Sequence, residues 1–254
     1  DLPRLAAFAE GLADAARAAI LPYFRADLSV THKGGDRFDP VTEADQAAER
    51  AMRALIEAHF PDHGILGEEY GVQPGASAYQ WILDPIDGTR AFIAGLPTWG
   101  VLIGLTYEGE PLLGVMDQPY LDERYRGYVS ADARAASLTV RGQTQALQTR
   151  ACAGLQDAIL CTTDPYLFHG EEAEAFARAR STAKLTRYGY DCYAYAMVAL
   201  GGVDCVIESG LKAFDIAALI PIIQAAGGGV CAWDGGDASK GGRVLAYGDA
   251  RGRL

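Results

Sequence analysis

Basic residues are scarce in this chain of 254 residues: 22 lysines and arginines stand against 33 aspartates and glutamates, a formal net charge of −11, and no basic block occurs. That balance excludes recruitment by nucleic acid or by an anionic membrane surface, both of which need clustered cations. Histidine is rarer still. His32, His59, His63 and His169 are the only four, none at ligand spacing to another, which excludes a polynuclear histidine-rich metal site. The five cysteines, Cys152, Cys161, Cys192, Cys205 and Cys231, are odd in number and lack CxxC or Cys/His zinc spacing, so they read as reduced core residues of a cytoplasmic protein. No apolar run reaches the roughly 18 residues of a membrane span. The sequence starts at Asp1 rather than Met, and no charged-then-apolar signal segment opens it.

Apolar residues are plentiful at 50%, enough for one large domain or two modest ones at roughly 100–200 residues each. Leu5, Phe8, Ala9, Leu12, Ala16 and Ile20 recur at helical spacing, predicting an amphipathic helix over 2–24 with Pro22 near its end. A short strand, LSVTHK, follows. KGGDRFDPVTEAD begins as a Gly-rich loop and enters a second helix, with Thr42 as N-cap and Ala48, Met52, Leu55, Ile56 and Phe60 as its apolar face. HGILGEEYG and QWILD read as strands ending in Glu68–Glu69 and Asp84. WGVLIGLTYEG, EPLLGVMDQP and ERYRGYV predict an antiparallel meander. The polar stretch 131–151 is the candidate boundary, dividing an α+β half (1–135) from an α/β half (136–254) in which strands and helices alternate.

One short segment, Asp84-Pro85-Ile86-Asp87-Gly88-Thr89, concentrates chemistry. Two carboxylates so close repel each other and raise each other's pKa unless a cation neutralises them. With the Ile86 carbonyl, Asp84 and Asp87 offer the hard oxygen ligands that suit Mg²⁺. The free N–H groups of Gly88 and Thr89, where a helical turn begins, can cradle a phosphate. Glu68, Asp45 in a helix's first turn and Asp215 at an expected helix start add further acids, as two metals clamping an in-line displacement require. Taken singly, each has an ordinary explanation, since Asp-Pro and Asp-Gly are turn dipeptides and Asp caps helices.

Three motifs in order, DPVTEAD (39–45), GEE (67–69) with WILDPIDGT (81–89), and FDIAALIPIIQAAGG (214–228), resemble those of the Mg²⁺-dependent, lithium-sensitive phosphatases typified by inositol monophosphatase. The resemblance covers essentially the whole chain. It implies a layered αβαβα sandwich of the inositol monophosphatase/fructose-1,6-bisphosphatase type and a homodimer. It also implies two or three Mg²⁺ per site, Mn²⁺ substituting, held by Glu68, Asp84, the Ile86 carbonyl, Asp87 and Asp215. Asp45 and Thr89 would position and activate the nucleophilic water, with Glu68 holding it through a metal. The backbone of Gly88 and Thr89 would hold the phosphate.

Asp117-Gln118-Pro119 and Asp191-Cys192-Tyr193-Ala194-Tyr195 look most like the histidinol-phosphate phosphatase branch. By family position Asp191 and Glu208 would lie on the substrate side, where carboxylates can bind an ammonium and an imidazole. Without the resemblance they read as a helix cap and a solvated strand end. Phe214, Ala213 and Gln224 depart from the branch pattern. The expected activity is hydrolysis of a small phosphomonoester, histidinol phosphate first and inositol 1-phosphate as the alternative. A non-catalytic regulatory protein on the same fold is a further reading, and it would show a broken acid set. A haloacid-dehalogenase mechanism is disfavoured because its nucleophile needs Asp-x-Asp, one residue shorter than the spacing here.

Overall fold

The computed structural model describes residues 2–26, 30–32 and 40–249, with only the backbone described at 30–32 and 40–42. The Gly-rich loop over 33–39 and the Thr42 cap lie outside the described residues. Helix α1 (Leu2–Ile20) buries Leu5, Ala9, Leu12, Ala16 and Ile20 on one face and ends before Pro22, whose ring disfavours helical geometry in the residue ahead of it. Strands β1 (Val30–His32) and β2 (Pro40–Thr42) pair antiparallel. Helix α2 (Glu43–His59) packs on α1 through Ala44, Ala48, Met52 and Ile56, and the same buried face carries Asp45 and Glu49.

Next come β3 (Gly64–Gly67), β4 (Gly71–Gln73), β5 (Tyr79–Asp87), helix α3 (Thr89–Ile93), and strands β6 (Gly100–Tyr107), β7 (Glu110–Gln118), β8 (Glu123–Val129), β9 (Arg134–Val140) and β10 (Gln143–Ala146). The strands form one eight-stranded sheet in the order β10-β9-β8-β7-β6-β5-β3-β4, antiparallel except where β3 runs parallel to β5. The expected meander is present and longer than its three segments. Residues 131–151, polar in composition, contain β9 and β10, and Ala136 and Leu138 on alternate positions of β9 reach the core.

Beyond a 3₁₀ turn at Leu155–Asp157 lie β11 (Ile159–Thr162), a second 3₁₀ turn (Pro165–Leu167), α4 (Glu171–Thr182), β12 (Leu185–Tyr188), α5 (Asp191–Ala199), β13 (Cys205–Lys212), α6 (Ala213–Ile216), α7 (Leu219–Ala225), β14 (Gly229–Ala232) and β15 (Gly241–Tyr247). The five-stranded sheet runs β12-β11-β13-β15-β14; β12, β11 and β13 are parallel, and β15 is antiparallel to both neighbours. The helix expected to start at Asp215 is two short helices, and the first of them begins two residues earlier, at Ala213.

Three apolar clusters separate the layers. One lies between α1/α2 and the large sheet, and one holds α5 and α7 between the two sheets. The third packs Phe168 and Phe176 of the α4 side on Leu160, Ile207 and Leu245. The result is the expected αβαβα sandwich. Close approach of α7 to the large sheet needs glycine at two positions. A Cβ on Gly114 would lie 1.8 Å from the Ala218 carbonyl oxygen, and one on Gly127 2.3 Å from Ile222 Cα.

Candidate active site

β5 carries both central acids, and its pairing with β6 explains how. Asp84 faces Leu102 and Asp87 faces Gly100, so β5 advances three residues while β6 advances two. Residues three apart on a regular strand point to opposite faces. The extra residue of this bulge restores parity, and Asp84 and Asp87 emerge on the same side. The strand does not end at Asp84 as the sequence led one to expect: it continues to Asp87, and Pro85, which has no N–H for a ladder, sits within the bulge.

Asp215, third residue of α6, joins them, and one carboxylate oxygen from each of Asp84, Asp87 and Asp215 lies within 4.8 Å of the others. Asp215 Oδ2 accepts the Lys212 N–H at 2.6 Å, which fixes its rotamer. Glu68 follows β3 in a turn, and its N–H donates to the Leu83 carbonyl at 3.1 Å, which places it beside Asp84. Asp45, third in α2 and 2% exposed, faces the same acid. Burial first, then the charges of Glu68, Asp87, Asp215 and Asp45, push the Asp84 pKa well above the usual carboxylate range. Asp87 is raised by burial, Asp191 and Asp215, against the opposing hydrogen bond from Cys192; Asp215 is pushed up to about 7, mainly by burial.

Gly88 caps α3 at φ +89°, a conformation open to glycine, and a Cβ there would meet Trp99 Cα at 3.1 Å and the Asp191 side chain at 3.2 Å. Thr89 opens α3, and its hydroxyl donates to the Ile86 carbonyl at 3.1 Å. That bond uses one lone pair of the carbonyl oxygen and leaves the other. The first N–H groups of α3 have no acceptor inside the helix. Of the acids named from the sequence, Asp84, Asp87 and Asp215 therefore cluster at the Gly88–Thr89 turn, and the charges of Glu68 and Asp45 bear on Asp84.

Asp191 sits at φ +44°, a left-handed backbone that is uncommon outside glycine and associated with functional sites. Burial lifts its pKa to about 6 against the pull of Arg90. Glu208, 2% exposed on β13, is pushed up to about 8 by burial, despite accepting the Thr163 N–H at 2.6 Å. Its burial replaces the solvated strand end that composition alone suggested.

Sequence reasoning missed Glu49. Fully buried on α2, it accepts the N–H groups of Glu69 at 2.8 Å and Tyr70 at 3.2 Å and the Arg53 Nε–H at 2.7 Å, so it clamps the turn that presents Glu68. An acid four residues after Asp45, on the face shared by Ala48 and Met52, was the available signal. Gly67 makes room for it, since a Cβ there would lie 1.9 Å from Glu49 Oε1.

The acid set fits a hard divalent cation. Asp84 Oδ1 is buried with no hydrogen-bond partner, and three carboxylates crowd together with raised pKa values. Among the described residues no helix is long and apolar enough to cross a membrane.

The sequence matches the inositol monophosphatase family over residues 1–252. This chain belongs to the inositol monophosphatase family. It is similar to the Arabidopsis thaliana bifunctional phosphatase IMPL2, chloroplastic, with 46% identity over 92% of this chain and 66% of that one. It is 38% identical to a histidinol-phosphatase of Chlorobaculum parvum, over 88% of this chain and 83% of that one. Among solved structures, an inositol monophosphatase from Zymomonas mobilis superposes with a TM-score of 0.86 at 40% identity, covering 98% of this chain and 94% of that one. As a family member the chain is a phosphatase, a phosphoric monoester hydrolase.

Proposed function

We propose that this phosphatase hydrolyses L-histidinol phosphate to L-histidinol and phosphate, with Mg²⁺ held by Glu68, Asp84, the Ile86 carbonyl, Asp87 and Asp215. When bound there, Mg²⁺ supplies positive charge at the phosphoryl group and lowers the proton affinity of water. Gly88 and Thr89 present backbone N–H groups to the phosphate oxygens. The Thr89 hydroxyl, tied to the Ile86 carbonyl, and Asp45 orient the attacking water and receive its proton, with Glu68 beside them. Water adds to phosphorus opposite the ester oxygen, the P–O ester bond breaks, and the leaving alkoxide takes up a proton as the alcohol.

The observation that carries the substrate is the pair Asp191 and Glu208. Both are carboxylates, each lies within electrostatic reach of the other, and Asp191 also bears on Asp87. Two acids beside a phosphate site favour an alcohol carrying cationic groups, as histidinol does with its ammonium and imidazole. Inositol 1-phosphate is the second reading, favoured by the structural likeness to the Zymomonas mobilis protein. The same proposal takes the enzyme as a homodimer in the cytoplasm, where its five free thiols fit a reducing compartment.

The test is phosphate release with Mg²⁺, comparing kcat/KM for histidinol phosphate, inositol 1-phosphate and adenosine 3′,5′-bisphosphate, with an EDTA control. A preference of about a hundredfold for histidinol phosphate, near 2.7 kcal/mol, supports the assignment. A flat profile or an inositol preference overturns the substrate. Metal-dependent thermal stabilisation with no turnover would favour the regulatory reading.

A further inference from the structure

Three buried polar groups meet where the substrate acids adjoin the middle helix layer. Glu208 has one carboxylate oxygen held by the Thr163 N–H. Thr162, at the end of β11 and 1% exposed, has a buried hydroxyl with no hydrogen bond of ordinary geometry, yet it lies near enough to draw the Glu208 pKa down. Tyr195, 3% exposed, has a buried hydroxyl with no partner. On α5 it lies one turn after Asp191, on the same face. Helical side chains lean toward the N-terminus, so its phenol reaches back toward the acids. Burial, then the charges of Glu208, Asp87 and Asp215, hold that phenol well above its ordinary pKa.

A buried hydroxyl without a partner is destabilising, a cost that phenylalanine at 195 and valine at 162 would avoid. Two such hydroxyls beside one carboxylate supply the two to four polar partners that an enclosed water requires, and polar groups separated beyond hydrogen-bond range are commonly bridged this way. We propose that Tyr195 is a positioning residue for substrate selection: its hydroxyl and that of Thr162 hold the Glu208 carboxylate, through one buried water, in the orientation that meets the polar group of the leaving alcohol. This inference rests on the reading of Glu208 as a substrate-binding group of a phosphatase.

The experiment compares wild type, Tyr195→Phe, Glu208→Gln and the double variant, with Mg²⁺, on histidinol phosphate, inositol 1-phosphate and an aryl phosphate that lacks the polar alcohol. For the substrate that wild type prefers, Tyr195→Phe raises KM about tenfold while kcat and the aryl phosphate KM move less than about twofold. In the Glu208→Gln background the same change adds almost nothing, the coupling expected of groups that act as one unit. Thr162→Val reproduces the KM rise and Thr162→Ser, which keeps the hydroxyl, restores it; this pair also serves if Tyr195→Phe folds poorly. An unchanged KM accompanied by a higher Tm overturns the proposal, because the hydroxyl is then only an unsatisfied core group. Equal effects on all three substrates, or full additivity with Glu208→Gln, overturn it as well. Absence of phosphate release from wild type overturns the phosphatase reading itself, and this inference with it.

Discussion

The Cys192 N–H donates to Asp87 Oδ2 at 2.6 Å, joining the first turn of α5 to the end of β5 across 105 positions of sequence. That bond sets the direction of a central carboxylate from the opposite half of the chain. The acid cluster thus forms only when the two sheets are packed on the helices between them.

Replacing Asp87 by Asn keeps an acceptor for Cys192 but removes one negative charge from the cluster. Turnover is expected to fall on the order of 10³-fold, and the rise in Tm on adding Mg²⁺ to disappear. Tm in EDTA should hold or increase, because a like charge has been taken from a buried group. Near-wild-type phosphate release would remove Asp87 from the metal set.

Without metal the protein should lose stability as pH rises. Asp215 is raised to about 7 and Glu208 to about 8 in the folded state, against about 4 for free carboxyls. Below pH ~4 both states are protonated and nothing is lost. As pH climbs through the folded values, the unfolded chain has already released protons that the folded chain must release at a cost, so stability drops. Tm in EDTA should decline between about pH 5 and about pH 8.5 and flatten with saturating Mg²⁺, which favours the ionised acids. A scanning series without that decline would contradict the burial-driven shifts.

Glu208→Gln should raise KM for histidinol phosphate about 10- to 100-fold, the range for losing a charge-assisted hydrogen bond. An aryl phosphate should be affected far less. Equal losses on the two substrates would strip Glu208 of a selective role.

Glu49→Gln tests the clamp on the Glu68 turn. The amide turns an NH₂ toward the N–H of Glu69 or Tyr70 in place of an acceptor. Mg²⁺ affinity, read from the Mg²⁺ dependence of both turnover and Tm, should weaken about 10- to 100-fold. Unaltered affinity would make the clamp a matter of stability alone.

Gly114→Ala should destabilise by at least about 3 kcal/mol, or about 6–12 °C in Tm for a chain of this size. The new methyl meets the Ala218 carbonyl at 1.8 Å, and backbone on both sides leaves nothing free to yield. Gly11→Ala is the control. Inside α1 with nothing within 4 Å, it should stabilise by about 0.5–1 kcal/mol. Equal Tm values for the two variants would refute the close-packing argument.

The sequence by itself determined most of the helices and strands, because their apolar periods are local: the Leu5–Ile20 stripe, the alternation in the meander, the α/β succession after residue 158. It also singled out the acids that the fold gathers around Asp84, since Asp84, Asp87, Asp45, Glu68 and Asp215 lie in compact motifs. It concealed β9 and β10, whose polar residues face solvent and whose apolar positions are few. The structure alone decided which acids meet and how they are held. The β5 bulge that turns Asp84 and Asp87 to one side is a property of pairing with β6. The Glu49 clamp, the Cys192 bond and the burial of Glu208 and Tyr195 join residues distant in sequence. Desolvation and like-charge repulsion depend on which groups share a low-dielectric space, and only the packing of the two sheets against the middle helices fixes that.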